Sequence, residues 1–427
     1  MITDALQFLA NQSVDGLLAT FWILVYVEVP RFVVGAIVLG WFILFHNDAS
    51  LPDGEGERAV DHGISVVVAG HNAAHAIERT LASLREQSQK RIQIIVVNDG
   101  STDDTDRICR RLQRQGQIDS YIPLMTRGGK AAAVNAGLNA ARHSLFLVTD
   151  ADTTFDRDAL ARAAAAFADP RVGVVGGNLR VRNKDASLAT KVQQINYGFS
   201  ITLGRIVKDA LGFYFVASGA FGMYRTRAVR AIGGWDVGPG EDGDVLTRLR
   251  LAGWQARFAH RATAMTDAPV SFVALARQRL RWDRSMIRNR FRKAGPAVLN
   301  PFRPGFDAAL AFSFLEIYFF NGLVPFLHVA YLARTISQFG AFSLTILAIV
   351  FAAYGMASLV KFFVMLSLSS RPLEDLRLLP YFPLFTLTTS LLLRTVKHYA
   401  NANELIFRGS YDDSYVPRKV RQQTTIY

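Results

Sequence analysis

Long apolar stretches bracket a central region of short ones. Residues 17–29 and 32–45 are almost wholly apolar, interrupted by Glu28, Pro30 and Arg31. Crossing a bilayer takes about 20 apolar residues. The stretch therefore predicts one kinked span, or an interfacial helix followed by a span, because proline breaks the helical hydrogen-bond ladder. The single span is the simpler reading. From 47 to 62 the chain turns polar and rich in Gly, Pro, Asp and Glu, as a linker does. Short apolar runs at 64–69, 92–97 and 145–149 then alternate with helical patterns at 74–86, 103–115 and 131–142. Strand and helix in alternation predict a parallel, helix-covered sheet with its ligand site beyond the carboxyl ends of the strands. After Pro304 three apolar blocks return, at 308–333, 342–368 and 378–393, each long enough or nearly so to span.

The expected organisation is an N-terminal membrane segment (1–46), a linker (47–62), a catalytic domain (63–284), a basic amphipathic interface segment (285–305), about three C-terminal spans (306–398) and a basic polar tail (399–427). Basic flanks favour the cytoplasmic side, yet an odd number of C-terminal spans puts Arg408, Arg418, Lys419 and Arg421 across the bilayer from the catalytic domain. The start, with Asp4 and Asp15, lacks the basic opening of a secretory signal and reads as retained.

Composition agrees with a membrane protein. Half of the 427 residues are hydrophobic, and mean hydropathy is positive. The net charge of +13 admits nucleic acid, anionic lipid or phosphorylated substrates. Its distribution decides among them: the basic residues cluster beside apolar spans, at Arg277, Arg284, Arg288, Arg290, Arg292 and Lys293, which argues for membrane lipids and against nucleic acid. The single cysteine, Cys109, forms no internal disulfide, which suits a catalytic portion in the reducing cytoplasm.

The candidate chemistry lies at strand ends. In Val96-Val97-Asn98-Asp99-Gly100-Ser101 a strand opens into a loop, so Asp99 projects from the sheet edge and can accept hydrogen bonds from a ring N–H or a hydroxyl. An ordinary Asp-Gly turn explains it equally well. Asp150-Ala151-Asp152 closes the third strand, and residues two apart in extended chain face the same side. Such a pair suits a divalent cation, Mg2+ or Mn2+, that bridges a diphosphate; the competing reading is a solvated acidic loop. Arg127-Gly128-Gly129-Lys130 precedes an alanine-rich helix, and exposed amides beside a cation suit an anion. Glu241-Asp242 in a Gly-rich loop offers a carboxylate for removing an acceptor hydroxyl proton, against the plainer role of acidic residues at a helix start. Gln278, Arg281 and Trp282 stand at i, i+3 and i+4 of a predicted helix and so share a face, with the guanidinium suited to pyrophosphate and the indole to a sugar ring. Glu316, Asn321 and His328 interrupt an apolar block, where polar groups face a protein interior or a water-filled path, or the block lies along the interface.

Asn98-Asp99-Gly100-Ser101, Gly129-Lys130 with Asn135, Asp150-Ala151-Asp152, Ser218-Gly219-Ala220-Phe221, Glu241-Asp242 and Gln278-Arg279-Leu280-Arg281-Trp282 follow one another in the order seen in processive family 2 glycosyltransferases. Over about 64–284 the chain resembles the cellulose, chitin, hyaluronan and poly-N-acetylglucosamine synthases. The resemblance implies a Rossmann-like α/β GT-A domain, cytoplasmic and inserted between transmembrane helices of the inner membrane. It implies an inverting transfer from a UDP-sugar to a growing β-linked polysaccharide, with transfer to a lipid acceptor as the alternative. By position, Asp99 would hold the uracil, Lys130 the diphosphate, Asp150 the nucleotide and Asp152 the metal. Asp242 would be the base beside Glu241, while Gln278, Arg281 and Trp282 would flank the diphosphate and the acceptor end. Accessory export or regulatory subunits are further partners that such synthases bring with them. The chain departs from the pattern at Asn98, where Asp is frequent, at Gly240, where Thr is common, and at Ser285, where a glycine often follows the tryptophan.

Overall fold

The structure, a computed structural model, describes residues 2–45, 63–413 and 416–423. The linker expected at 47–62 lies outside them. Eight strands, β1 (Ile64–Gly70), β2 (Ile92–Asp99), β3 (Ser120–Leu124), β4 (Leu145–Asp150), β5 (Thr154–Phe155), β6 (Val172–Val181), β7 (Gly222–Arg225) and β8 (Gln255–Thr266), form one sheet. Its order is β3-β2-β1-β4-β7-β6-β8-β5. The first four strands are parallel, as the alternating pattern predicts. The sheet as a whole is mixed: β7 runs antiparallel to both β4 and β6, and β5 to β8. Short β7 carries no helical crossover pattern of its own, so the sequence gives little sign of this reversal.

Period-two alternation within the strands builds two cores. Ile64, Val66, Val68, Ile94, Val96, Leu145 and Leu147 face one; Val67, Ala69, Ile95, Val97, Phe146 and Val148 face the other. The second core is continuous with Leu39, Phe42, Phe314, Phe362 and Phe382 from the apolar helices, which fixes the sheet against the membrane region.

Three helical stretches are long and apolar enough to cross a membrane: Leu24–Phe45, Ala308–Leu368 and Pro372–Phe407. Pro30 does not split the first. A π-helical turn at Leu24–Glu28 precedes it, and this wider turn accommodates the missing N–H. The second stretch reverses at Gly340, whose φ of 52° and ψ of −129° end the helix Val324–Phe339 before Ser343–Leu368 begins. A buried, bidentate ion pair joins sheet to membrane region: Arg180 on β6 donates to both oxygens of Asp375, at 2.9 and 2.7 Å, and Gln194 adds a third contact at 3.2 Å. Removing one partner of such a pair would leave an uncompensated buried charge.

Candidate active site

The site lies where the strand order reverses. From β1 the chain steps to β2 and β3 on one side and then returns to β4 on the other, which opens a crevice beyond their carboxyl ends. Asp99 ends β2 and Asp150 ends β4 on the two sides of that crevice.

Asp99 is buried, and its carboxylate grips the loop opposite. One oxygen accepts the Gly128 N–H at 2.6 Å and the other the Gly129 N–H at 2.8 Å. The backbone passes so close that a Cβ on Gly100 would lie 2.5 Å from the Arg127 nitrogen, and Gly100 has a φ of 62°. Only glycine fits there. The two amides that the sequence suggests as anion donors are thus occupied by Asp99, and Lys130 is left as the cation that the loop presents.

Lys130 opens the helix Lys130–Ala140. Its ammonium donates to the Asp150 carboxylate and, at 3.0 Å, to the carbonyl of Gly219. The same glycine donates its N–H to Asp242 at 3.3 Å. Gly219, through Lys130, therefore ties the start of the helix Lys130–Ala140 and the end of β4 to the start of the helix Glu241–Leu251, and the other Asp242 oxygen accepts the Gly243 N–H at 2.7 Å. Burial by itself would lower the Lys130 ammonium, but Asp150 and then Glu241 outweigh it and hold the group above its ordinary value. Burial pushes the Glu241 carboxyl up to about 7; the Asp242 charge adds to this and Lys130 opposes it.

Asp152 follows one turn residue after Asp150. Burial, then the charges of Asp150 and Asp267, raise its carboxyl, and Arg182 and Lys130 offset this in part. Arg182, just past β6, pins the turn: it donates to the Asp152 carbonyl at 2.7 Å, to Thr154 at 3.1 Å and to Asp267 at 3.0 Å. Among the described residues no group of three or more His, Cys, Asp or Glu side chains could hold a metal unaided. Asp150 and Asp152 do supply hard oxygen donors of the kind that would suit a magnesium or manganese ion.

Gln278, Arg281 and Trp282 all lie on the helix Phe272–Ile287, which Ser271 caps by accepting the Ala274 N–H at 3.2 Å. Trp282 is 39% exposed. The Arg279 guanidinium stands 4.7 Å from its ring centre and also donates to Asn196 at 2.8 Å. Beside Asn196, Tyr197 is buried, and burial raises its hydroxyl while Arg279 and Arg205 oppose this.

Three contributors have no signature in the sequence. Arg182 and Asp267 act through chain reversals far from any motif. The tail, expected as polar and basic, reaches back to the site: a side chain on Gly129 would meet Pro417 at 3.6 Å and Val420 at 4.0 Å. Tyr411 in the same segment lies 5.1 Å below the Arg288 guanidinium. The departures at Gly240 and Ser285 meet one another. A Cβ on Gly240 would sit 3.0 Å from that of Ser285.

Comparison with known proteins now decides the class. Residues 65–233 match the family model described as glycosyl transferase family 2. Over this stretch the chain is similar to family 2 glycosyltransferases. Over 222 residues it is 32% identical to a poly-beta-1,6-N-acetyl-D-glucosamine synthase of Staphylococcus aureus, covering 52% of this chain and 53% of that protein. A poly-beta-1,6-N-acetyl-D-glucosamine synthase of Staphylococcus epidermidis is 30% identical over 230 residues, 53% of this chain and 55% of the relative. The chain thus spans about half the length of the curated relatives it matches. A mannosyltransferase from Pyrobaculum calidifontis, solved with GDP-Man and Mn2+, superposes with a TM-score of 0.63 at 19% identity, covering 91% of this chain and 99% of that one. The matched region has a GT-A-like fold beside apolar helices.

Proposed function

We propose that the chain is a membrane-bound, inverting glycosyltransferase that moves N-acetylglucosamine from UDP-N-acetylglucosamine to the end of a growing β-linked polysaccharide. The product class is the one named for the Staphylococcus relatives. The observation that carries the reading is that Lys130, bound to Asp150, and Asp242 meet on one residue, Gly219, beyond the carboxyl edge of the sheet.

In this reading Asp99 holds the loop that presents Lys130, and the Lys130 ammonium binds the donor diphosphate. Asp152, with Asp150, holds a magnesium or manganese ion, which when bound neutralises charge on the diphosphate leaving group. Asp242 takes the proton from the acceptor hydroxyl. Its two backbone hydrogen bonds aim the carboxylate and leave lone pairs for the acceptor. Trp282 offers one face of its indole to the acceptor sugar while Arg279 covers the other. Gln278 and Arg281 flank the diphosphate and Glu241 supports the base. The apolar helices anchor the enzyme in the inner membrane with the catalytic domain cytoplasmic. Accessory export subunits would act on the polymer once made.

The test is product analysis. Full-length protein in lipid is incubated with radiolabelled UDP-N-acetylglucosamine, UDP-glucose and related donors. Polymer from UDP-N-acetylglucosamine is the expected result. A single sugar on lipid would replace the polymer reading by transfer to a lipid acceptor, and no transfer from any donor would sink both.

A further inference from the structure

At the far edge of the sheet from Asp150 lies an open cavity of about 700 Å³, lined by Arg142, His143, Thr226, Arg227 and Arg230 among others. Leu145 opens β4 and pairs with Arg225 of β7, directly beside the cavity wall. Asp150 closes the same strand, so about 17 Å of β4, at roughly 3.3 Å per residue, separates the cavity from the active site. Nothing in the proposed transfer reaction uses this surface.

Its charge is poorly compensated. Arg142 is 3.6 Å from Asp119, a carboxylate that Arg85 also approaches at 3.4 Å. Arg230 donates to the carbonyls of Leu138 and Ala141, at 3.2 and 2.8 Å, which fixes the guanidinium without neutralising it. Arg227 stacks 5.5 Å from the Trp254 ring. Among the described residues neither Arg227 nor Arg230 forms an ion pair. Burial, then Arg142 and Arg91, lower the His143 imidazole, and Asp119 opposes them. Surface charges that serve solubility alone gain by being interspersed with the opposite sign. Here three arginines line one open depression of the surface.

We propose that this cavity is a second anion site, which takes a phosphate-bearing ligand. Guanidinium forks match phosphate oxygens in bidentate fashion, and a rim of arginines held by backbone carbonyls and an aromatic ring is already ordered for them. A free phosphorylated metabolite and a lipid phosphate headgroup present the same chemistry, and the experiment separates them.

Hydrogen exchange is followed by mass spectrometry on the full chain in nanodiscs. One arm uses phosphatidylcholine discs with added inorganic pyrophosphate. The other uses discs containing phosphatidylglycerol with no added phosphate. Slowed exchange at 141–145 and 226–231 is expected in at least one arm; the pyrophosphate arm alone assigns a free anion, the phosphatidylglycerol arm alone a headgroup. Protection around Lys130, where pyrophosphate would also bind, does not count. The double change Arg142→Glu and Arg227→Glu, at two exposed side chains, should weaken the response at least tenfold. Arg142→Gln with Arg227→Gln serves as a milder pair if the reversal misfolds. No protection at these two segments in either arm, or protection unchanged in the substituted proteins, would overturn the assignment.

Discussion

Replacing Asp99 by Asn tests whether this carboxylate works mainly by holding the Arg127–Lys130 loop. Both of its oxygens accept backbone N–H groups, from Gly128 at 2.6 Å and Gly129 at 2.8 Å. Asparagine keeps one acceptor and turns an NH2 towards the second amide, donor against donor. A hydrogen bond to a charged group contributes about 1.5–3 kcal/mol, and a buried N–H left without a partner costs about 1–3 kcal/mol. The two overlap, so a total near 2–4 kcal/mol is reasonable. The cost falls on the loop that places Lys130 rather than on the sheet core. If it appears as lost donor interaction, kcat/KM for the UDP-sugar drops roughly 30- to 700-fold, at about 1.4 kcal/mol per factor of ten. Initial rates against donor concentration give that number, and calorimetric binding of UDP and of uridine locates it. Uridine lacks the phosphates that Lys130 would hold, so its affinity should change much less than that of UDP. A kcat/KM within threefold of wild type would refute the argument. So would uridine binding that falls as far as UDP binding, because Asp99 would then act on the base itself.

Asp242→Asn should abolish turnover while leaving calorimetric UDP binding within a few-fold of wild type; unchanged turnover would remove Asp242 as the base. Glu241→Gln addresses pH. The folded carboxyl is raised from 4.5 to about 7, so its contribution to stability is fully present below pH 4.5 and is lost as pH rises through 7. The Gln variant lacks this slope, so its Tm relative to wild type should rise between pH 5 and pH 8, and parallel Tm curves would contradict the burial argument. Gly240→Ala places a Cβ 2.6 Å from the Asn289 Nδ2 and 3.0 Å from the Ser285 Cβ, at a backbone φ of 78°. It should destabilise alone, and adding Ser285→Gly should recover only part of the loss in a double-mutant cycle, because the Asn289 contact and the backbone strain remain. Strict additivity in urea melts would show that the two positions do not compete for space.

The parallel half of the sheet and the two carboxylates at its edge are legible because each is a local signal. An apolar run sets a strand, and the residue that ends the run must leave the sheet at its carboxyl edge, which locates Asp99 and Asp150 without any knowledge of packing. What their side chains touch is not local. Lys130 meets Gly219 across 89 positions, Arg182 reaches the turn after β4 from the end of β6, and the tail returns to Gly129 from beyond the last apolar helix. No periodicity encodes such contacts. They arise when the switch in strand order folds distant loops onto one crevice. Antiparallel β7 was hidden for the same reason, because a strand of four residues is too short to declare its direction.

Gly240 and Ser285 show what this does to inference from motifs. Each, taken singly, departs from the pattern of the synthases by one residue. In the fold they face one another, and the side chain absent at Gly240 is matched by the one present at Ser285. Asn289 closes the gap by donating to the Gly240 carbonyl at 2.8 Å. The space beside Glu241 and Asp242 is thus filled from the helix Phe272–Ile287 instead of from the loop before them.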